Sequence, residues 1–201
     1  MPDPDVFRSL RGLRESQAVL AEHIAGLTDE VARRPSLLPD WSVGHVLAHL
    51  ARNADSVVRR LAGAMRGEVA DQYVGGSEGR AAEIERDAHR PARELVNDVR
   101  RTSAAVEAAC AAMPVEAWDA MSRGVDGGLQ PCRRVVFSRW REVEVHLVDL
   151  GLGYTVDRWP ADLVDAWLPD VLAGLPGRAD STALLGWMLG RADAPTLESW
   201  G

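Results

Sequence analysis

Apolar side chains recur along most of this chain at the spacing of an α-helix, and nowhere do they sustain the period of two that a half-buried strand requires. Val6, Leu10, Leu13, Leu20, Ile24 and Leu27 fall at intervals of three, four and seven, which lines one face of a helix. A first helix is therefore expected from Val6 to about Ala25. Thr28 caps a short turn over Asp29-Glu30-Val31, which Pro35 and Pro39 stop. Ser42 caps the next helix, running to about Gly67 with Val46, Leu47, Leu50, Val57 and Leu61 on its inner face. Val69 to Gly79 reads as a loop around Gly75-Gly76. A third long helix is expected from about Arg80 to Met113, kinked or divided at Pro91. Pro114 to Gln130, with Trp118, Gly124, Gly127 and Gly128, reads as a long loop. Pro131 fits the first position of a fourth helix that reaches Leu150 and stops at Gly151. Four principal helices and a long crossover make an all-α bundle.

Beyond Gly151, Trp159-Pro160, Leu168-Pro169 and Leu175-Pro176 break the chain into short pieces. Helices are expected at about Ala161 to Ala173 and Ser181 to Gly190, followed by an extended strap from Arg191 to Gly201 that packs through Leu197 and Trp200. A chain of 201 residues supports one main domain and a small appendage, placed at residues 1–153 and 154–201. The net charge of -7 arises from 30 acidic residues mixed with 23 basic ones, all arginine. No basic stripe results, which argues against nucleic acid as a partner. No apolar run approaches the roughly 20 residues that cross a bilayer, and Met1-Pro2-Asp3-Pro4-Asp5 lacks the basic and apolar regions of a secretion signal. A cytoplasmic protein, monomeric or homodimeric and acting on small molecules or proteins, is the expectation. Cys110 and Cys132 form no CxxC pair and read as small core residues in a reducing compartment.

The chemistry lies on two of the helices. Glu142 and His146 stand four residues apart, so a helix stacks them on one face, one turn apart. His45 and His49 repeat that spacing on the Ser42 helix, and either or both could join the pair; spacing alone does not choose. Three protein ligands with a fourth position left open describe a catalytic zinc site rather than a structural one. An ionised Glu142 at the margin of a buried face needs a compensating partner. A metal supplies one, and so does an arginine. The alternative is that all three residues are polar groups of an ordinary helical bundle.

Two stretches carry a specific resemblance. Leu38-Pro39-Asp40-Trp41-Ser42-Val43-Gly44-His45-Val46-Leu47-Ala48-His49-Leu50-Ala51-Arg52-Asn53-Ala54-Asp55 and Trp140-Arg141-Glu142-Val143-Glu144-Val145-His146-Leu147-Val148-Asp149-Leu150-Gly151-Leu152-Gly153-Tyr154 resemble the mycothiol-dependent maleylpyruvate isomerase family, within the DinB-like superfamily of four-helix bundles. Gly79 to Glu85 and Trp159-Pro160 extend the likeness over roughly Asp5 to Trp167. The resemblance implies an all-α, DinB-like four-helix bundle with a short, reduced C-terminal helical extension. It implies zinc or another divalent metal held by His49, Glu142 and His146, with His45 in a packing or supporting role, and mycothiol as the thiol cofactor. The implied reaction is cis–trans isomerisation: a thiolate adds to the conjugated double bond of an enedione acid, the resulting single bond rotates, and the thiol departs. Arg80 is the candidate catalytic cation for the substrate carboxylates, against a solvated helix-terminal role. Arg52 and Asn53, one turn past His49, are candidates to contact the cofactor, against a surface role for Arg52. Isomerising members carry a strand-containing domain after the bundle, whereas the chain after Gly151 is short and only Ala183 to Arg191 resembles their closing helix. That difference keeps a mycothiol S-transferase acting on another electrophile in view, beside a non-catalytic helical protein.

Overall fold

The computed structural model describes residues 5–198. Asp5 caps α1 (Val6–His23), its carboxylate accepting from the N–H groups of Phe7 and Arg8. Thr28 does the same for Val31 at the start of α2 (Asp29–Ala32). At α3 (Val43–Met65) the cap is reciprocal: Ser42 Oγ accepts from the His45 N–H and His45 Nδ1 accepts from the Ser42 N–H. These contacts satisfy donors that a first helical turn leaves without partners. The stretch expected from Arg80 to Met113 with a kink or division at Pro91 is divided there, into α4 (Gly76–Ala88) and α5 (Ala92–Ala112). Pro91 divides them, having no N–H to continue the ladder, and α4 starts at Gly75-Gly76 instead of Arg80.

The segment expected as a long loop holds more structure. A 3-10 turn over Val115–Asp119 buries Trp118, and β1 (Met121–Arg123) pairs antiparallel with β2 (Leu129–Pro131), Ser122 opposite Gln130. Strands of three residues are too short to display alternation. Pro131 closes β2 and stands just before α6 (Cys132–Asp149) rather than inside it.

Helix α1 packs on α6 and α5, while α3 packs on α5, α6 and α4, so α1, α6, α3 and α5 close a four-helix bundle. Its interior is Leu13, Leu20, Leu47, Leu50, Leu61, Leu95, Val106, Trp140 and Leu147, all buried. Burial of each such side chain contributes about 1.5–3 kcal/mol. Cys110 and Cys132 are buried, free thiols. The indole of Trp140 lies directly over Gly12, where any side chain would collide with it. Trp140 Nε1 donates to Ser16 Oγ at 2.9 Å, and Ser16 Oγ donates in turn to Glu144. Glu144 also accepts from the Tyr154 hydroxyl at 2.6 Å, and its carbonyl accepts from Trp159 Nε1 at 3.2 Å. This buried carboxylate fastens the segment after α6 to the bundle.

Residues up to Trp159 form one compact unit and those from Pro160 a second, a division beyond the one expected at residue 153. The second unit holds α7 (Ala161–Gly174), with Pro169 inside it, and α8 (Ser181–Met188), capped by Asp180. Arg178 donates twice to the Glu198 carbonyl, at 3.1 and 2.6 Å. Of the expected strap, Leu197 is non-helical and 43% exposed, and Trp200 lies outside the described residues. Among the described residues no helix is long and apolar enough to cross a membrane.

Candidate metal centre

Helix α3 crosses the core between α4 and α6, so its successive turns face different neighbours. Its height against α6 is set by Arg139, which is buried and donates Nη1 to the Leu50 carbonyl at 2.8 Å and to Asn53 Oδ1 at 3.0 Å. Leu50 follows His49 and Arg139 precedes Glu142 by a turn, so this contact brings His49 level with the Glu142/His146 pair. His49 Nε2 lies 2.8 Å from Glu142 Oε2, and His146 Nε2 lies 3.4 Å from the same oxygen. One ligand atom from each of the three residues falls within 4.8 Å of the others. Tetrahedral zinc with bonds of about 2.0–2.1 Å needs donor atoms about 3.3 Å apart, so these three residues could hold an ion after small side-chain adjustments.

The protons are distributed by what surrounds the rings. Arg80 Nη2 lies 3.3 Å from His49 Nδ1; a guanidinium can only donate, so Nδ1 accepts and the ring proton faces Glu142. Burial pulls the His49 pKa down to about 4, against the opposing hydrogen bond and charge of Glu142, and the ring is neutral. His146 Nδ1 lies 2.8 Å from Asp149 Oδ2. Burial disfavours its charge, but Asp149 and Glu142 overcome that and raise its pKa. Burial likewise opposes the charge of Glu142, yet hydrogen bonds from His146 and His49 hold its carboxyl well below the ordinary range. An ionised carboxylate between two imidazole nitrogens, one imidazole backed by a second carboxylate, is a donor set that suits a divalent cation, because the outer carboxylate orients the ring and raises its basicity.

The other sequence-derived residues divide. Arg80 is beside the triad, its guanidinium 6.0 Å from the Trp41 ring, and Trp41 stands edge-on to His49 at 5.6 Å. Arg52 is turned elsewhere: only 14% exposed, it pairs with Asp55, Asp87 and Asp98 at 3.2, 3.1 and 2.7 Å, joining α3, α4 and α5. Asn53 is buried as the acceptor for Arg139. His45 faces α4. Trp41, Asp149 and Arg139 take part without having been singled out. Asp149 sits three residues past His146, a spacing that could have signalled a supporting carboxylate. Trp41 belongs to a segment fastened to α6 by the Leu37 N–H, which donates to the Asp149 carbonyl at 2.8 Å. That segment, with Arg33, Pro35 and His45, lines a cavity of about 520 Å³.

A family model described as the mycothiol maleylpyruvate isomerase N-terminal domain matches residues 13–151. Among solved structures the chain is similar to the crystal structure of the mycothiol-dependent maleylpyruvate isomerase and to that of a histidine-to-alanine mutant. Each is 24% identical, with a TM-score of 0.79 over 84% of this chain and 70% of that chain. No curated protein matches.

Proposed function

We propose, for a chain that belongs to the mycothiol maleylpyruvate isomerase N-terminal domain family, a zinc- and mycothiol-dependent enzyme whose metal ligands are His49, Glu142 and His146. The observation that carries this reading is the convergence of three donor atoms within 4.8 Å, with Asp149 behind one of them. Two imidazoles and a carboxylate suit zinc, and three protein ligands leave a position for an exogenous group. When bound, such an ion would supply the charge that favours the deprotonated, nucleophilic form of a thiol at neutral pH.

The chain's own residues prepare the site. Burial keeps His49 uncharged near neutrality, so no imidazolium charge opposes a cation there, Asp149 accepts from His146 Nδ1 while Nε2 faces Glu142, and Arg139 holds α3 level with α6. Arg80, beside His49, is the cation for substrate carboxylates. The unit that ends at Trp159 makes the metal-binding bundle, and the chain from Pro160 is its extension. The reaction class is cis–trans isomerisation of a maleylpyruvate-like enedione acid.

Zinc analysis of wild-type and His49→Ala protein, followed by incubation with mycothiol and maleylpyruvate, tests the reading. The expected result is zinc in wild type only, and a thiol-dependent product of unchanged mass. A product heavier by the thiol makes the protein an S-transferase on the same ligands. Full zinc occupancy in His49→Ala contradicts the ligand set, and no zinc in either protein leaves only a helical scaffold.

A further inference from the structure

Helix α3 presents two histidines one turn apart, and each meets a glutamate–histidine pair of the same spacing on a neighbouring helix. His49 meets Glu142/His146 on α6. His45 meets Glu85/His89 at the end of α4, with His45 Nε2 at 3.2 Å from Glu85 Oε2 and His89 Nε2 at 3.1 Å from Glu85 Oε1. One donor atom from each of these three also falls within 4.8 Å of the others. The two imidazoles stand edge to face at 5.4 Å.

We propose that His45, Glu85 and His89 form a second divalent-cation site, selective for zinc-like ions, with water completing the coordination. The two imidazoles approach different oxygens of Glu85, each at a distance close to the edge of about 3.3 Å that tetrahedral zinc imposes on its ligands, so a small turn of the carboxylate presents one oxygen to an ion between the rings. His45 is held in place before any ion arrives. Its ring is 13% exposed, Nδ1 lies 2.7 Å from Ser42 Oγ, and Trp41 lies alongside at 6.2 Å. With Nε2 on a metal the ring proton lies on Nδ1 instead, which gives up the contact from the Ser42 N–H and donates to Ser42 Oγ, the outer contact that ligating histidines generally have. His89 occupies the C-terminal cap of α4, where the helix dipole favours positive charge. The other two ligands are 68% and 70% exposed, so this site exchanges its ion with solvent and binds more weakly than the buried triad. It draws no residue from that triad and stands or falls separately from it.

The test is a zinc chloride titration of the metal-stripped full-length protein against a chromophoric chelator, with histidine ring signals followed by NMR. Wild type is expected to take up a weaker equivalent of zinc that shifts the His45 and His89 ring signals and leaves His23 unmoved. His89→Ala, altered at an exposed position, abolishes that equivalent, and Glu85→Gln weakens it about tenfold or more. His49→Ala retains it, whatever becomes of the buried triad. Zinc uptake unchanged by His89→Ala, or titration that moves neither ring signal, overturns the proposal.

Discussion

Replacing Gly12 with alanine sets a favourable local effect against an unfavourable packing effect, and the structure decides which wins. In a helix interior, alanine is better than glycine by about 1 kcal/mol. A Cβ on Gly12, however, would lie 2.5 Å from Cε2 and Cη2 of Trp140 and closer still to Cζ2. The indole cannot simply yield: it is 1% exposed and its Nε1 is bonded to Ser16 Oγ at 2.9 Å. Overpacking of a filled core costs about 1–3 kcal/mol. Displacing the ring from Ser16 costs about 1 kcal/mol more for the hydrogen bond, and it disturbs the Ser16–Glu144–Tyr154 chain. After subtracting the helical gain, Gly12→Ala should destabilise the protein by about 1–3 kcal/mol. Urea denaturation of the two proteins, followed by circular dichroism and tryptophan fluorescence, measures this directly. A Gly12→Ala protein as stable as wild type, with unchanged fluorescence, would refute the claim that α1 and α6 approach through this glycine.

Three further outcomes follow from the site. Asp149→Asn keeps an acceptor for His146 Nδ1 but removes the charge, whereas Asp149→Ala removes both; zinc affinity should fall about 10-fold and up to about 100-fold respectively, read by competition with a chelator. In metal-free protein the two triad histidines act on opposite limbs of the pH–stability curve. His49, lowered from 6.5 to about 4, contributes stability that is present above 6.5 and lost as pH falls toward 4, about 3 kcal/mol in all. His146, raised above 6.5, contributes stability that is present below 6.5 and lost as pH rises through its folded pKa. Chemical denaturation across pH should therefore show a maximum near 6.5 whose acid limb is shallower in His49→Ala. Cys110, buried with its thiol pushed up to about 12 by that burial, should resist alkylation at neutral pH until the protein unfolds, as mass spectrometry after iodoacetamide treatment will show.

The helices were legible because each states its start and its buried face locally. Asp5 was not singled out, but Thr28 and Ser42 act as caps, and Pro91 divides a helix as an N–H-less residue should. The β1–β2 hairpin was not legible: Met121–Arg123 contributes one buried residue, Ser122, too little for a pattern. The choice between His45 and His49 could not come from spacing, since both lie on α3 a turn apart. It depends on how α3 is rotated between α4 and α6, which tertiary contacts such as Arg139 to Leu50 and Asn53 decide. Arg52 has the sequence of a solvated helix arginine, yet carboxylates from three helices gather on it. Glu144 lies between Val143 and Val145 with nothing in its local sequence to give it a partner, and it is nevertheless buried, because Ser16 and Tyr154 arrive from other parts of the chain. The family resemblance points to His49, Glu142 and His146 together, while spacing alone points to the Glu142/His146 pair and leaves His45 and His49 open.

The account rests on one ion shared by α3 and α6. Crystals of zinc-loaded protein, measured on both sides of the zinc absorption edge, would locate that ion without reference to activity. The predicted result is an anomalous peak about 2.0–2.2 Å from donor atoms of His49, Glu142 and His146. A loaded crystal with no peak between those three side chains, and His49 still donating to Glu142, would contradict it.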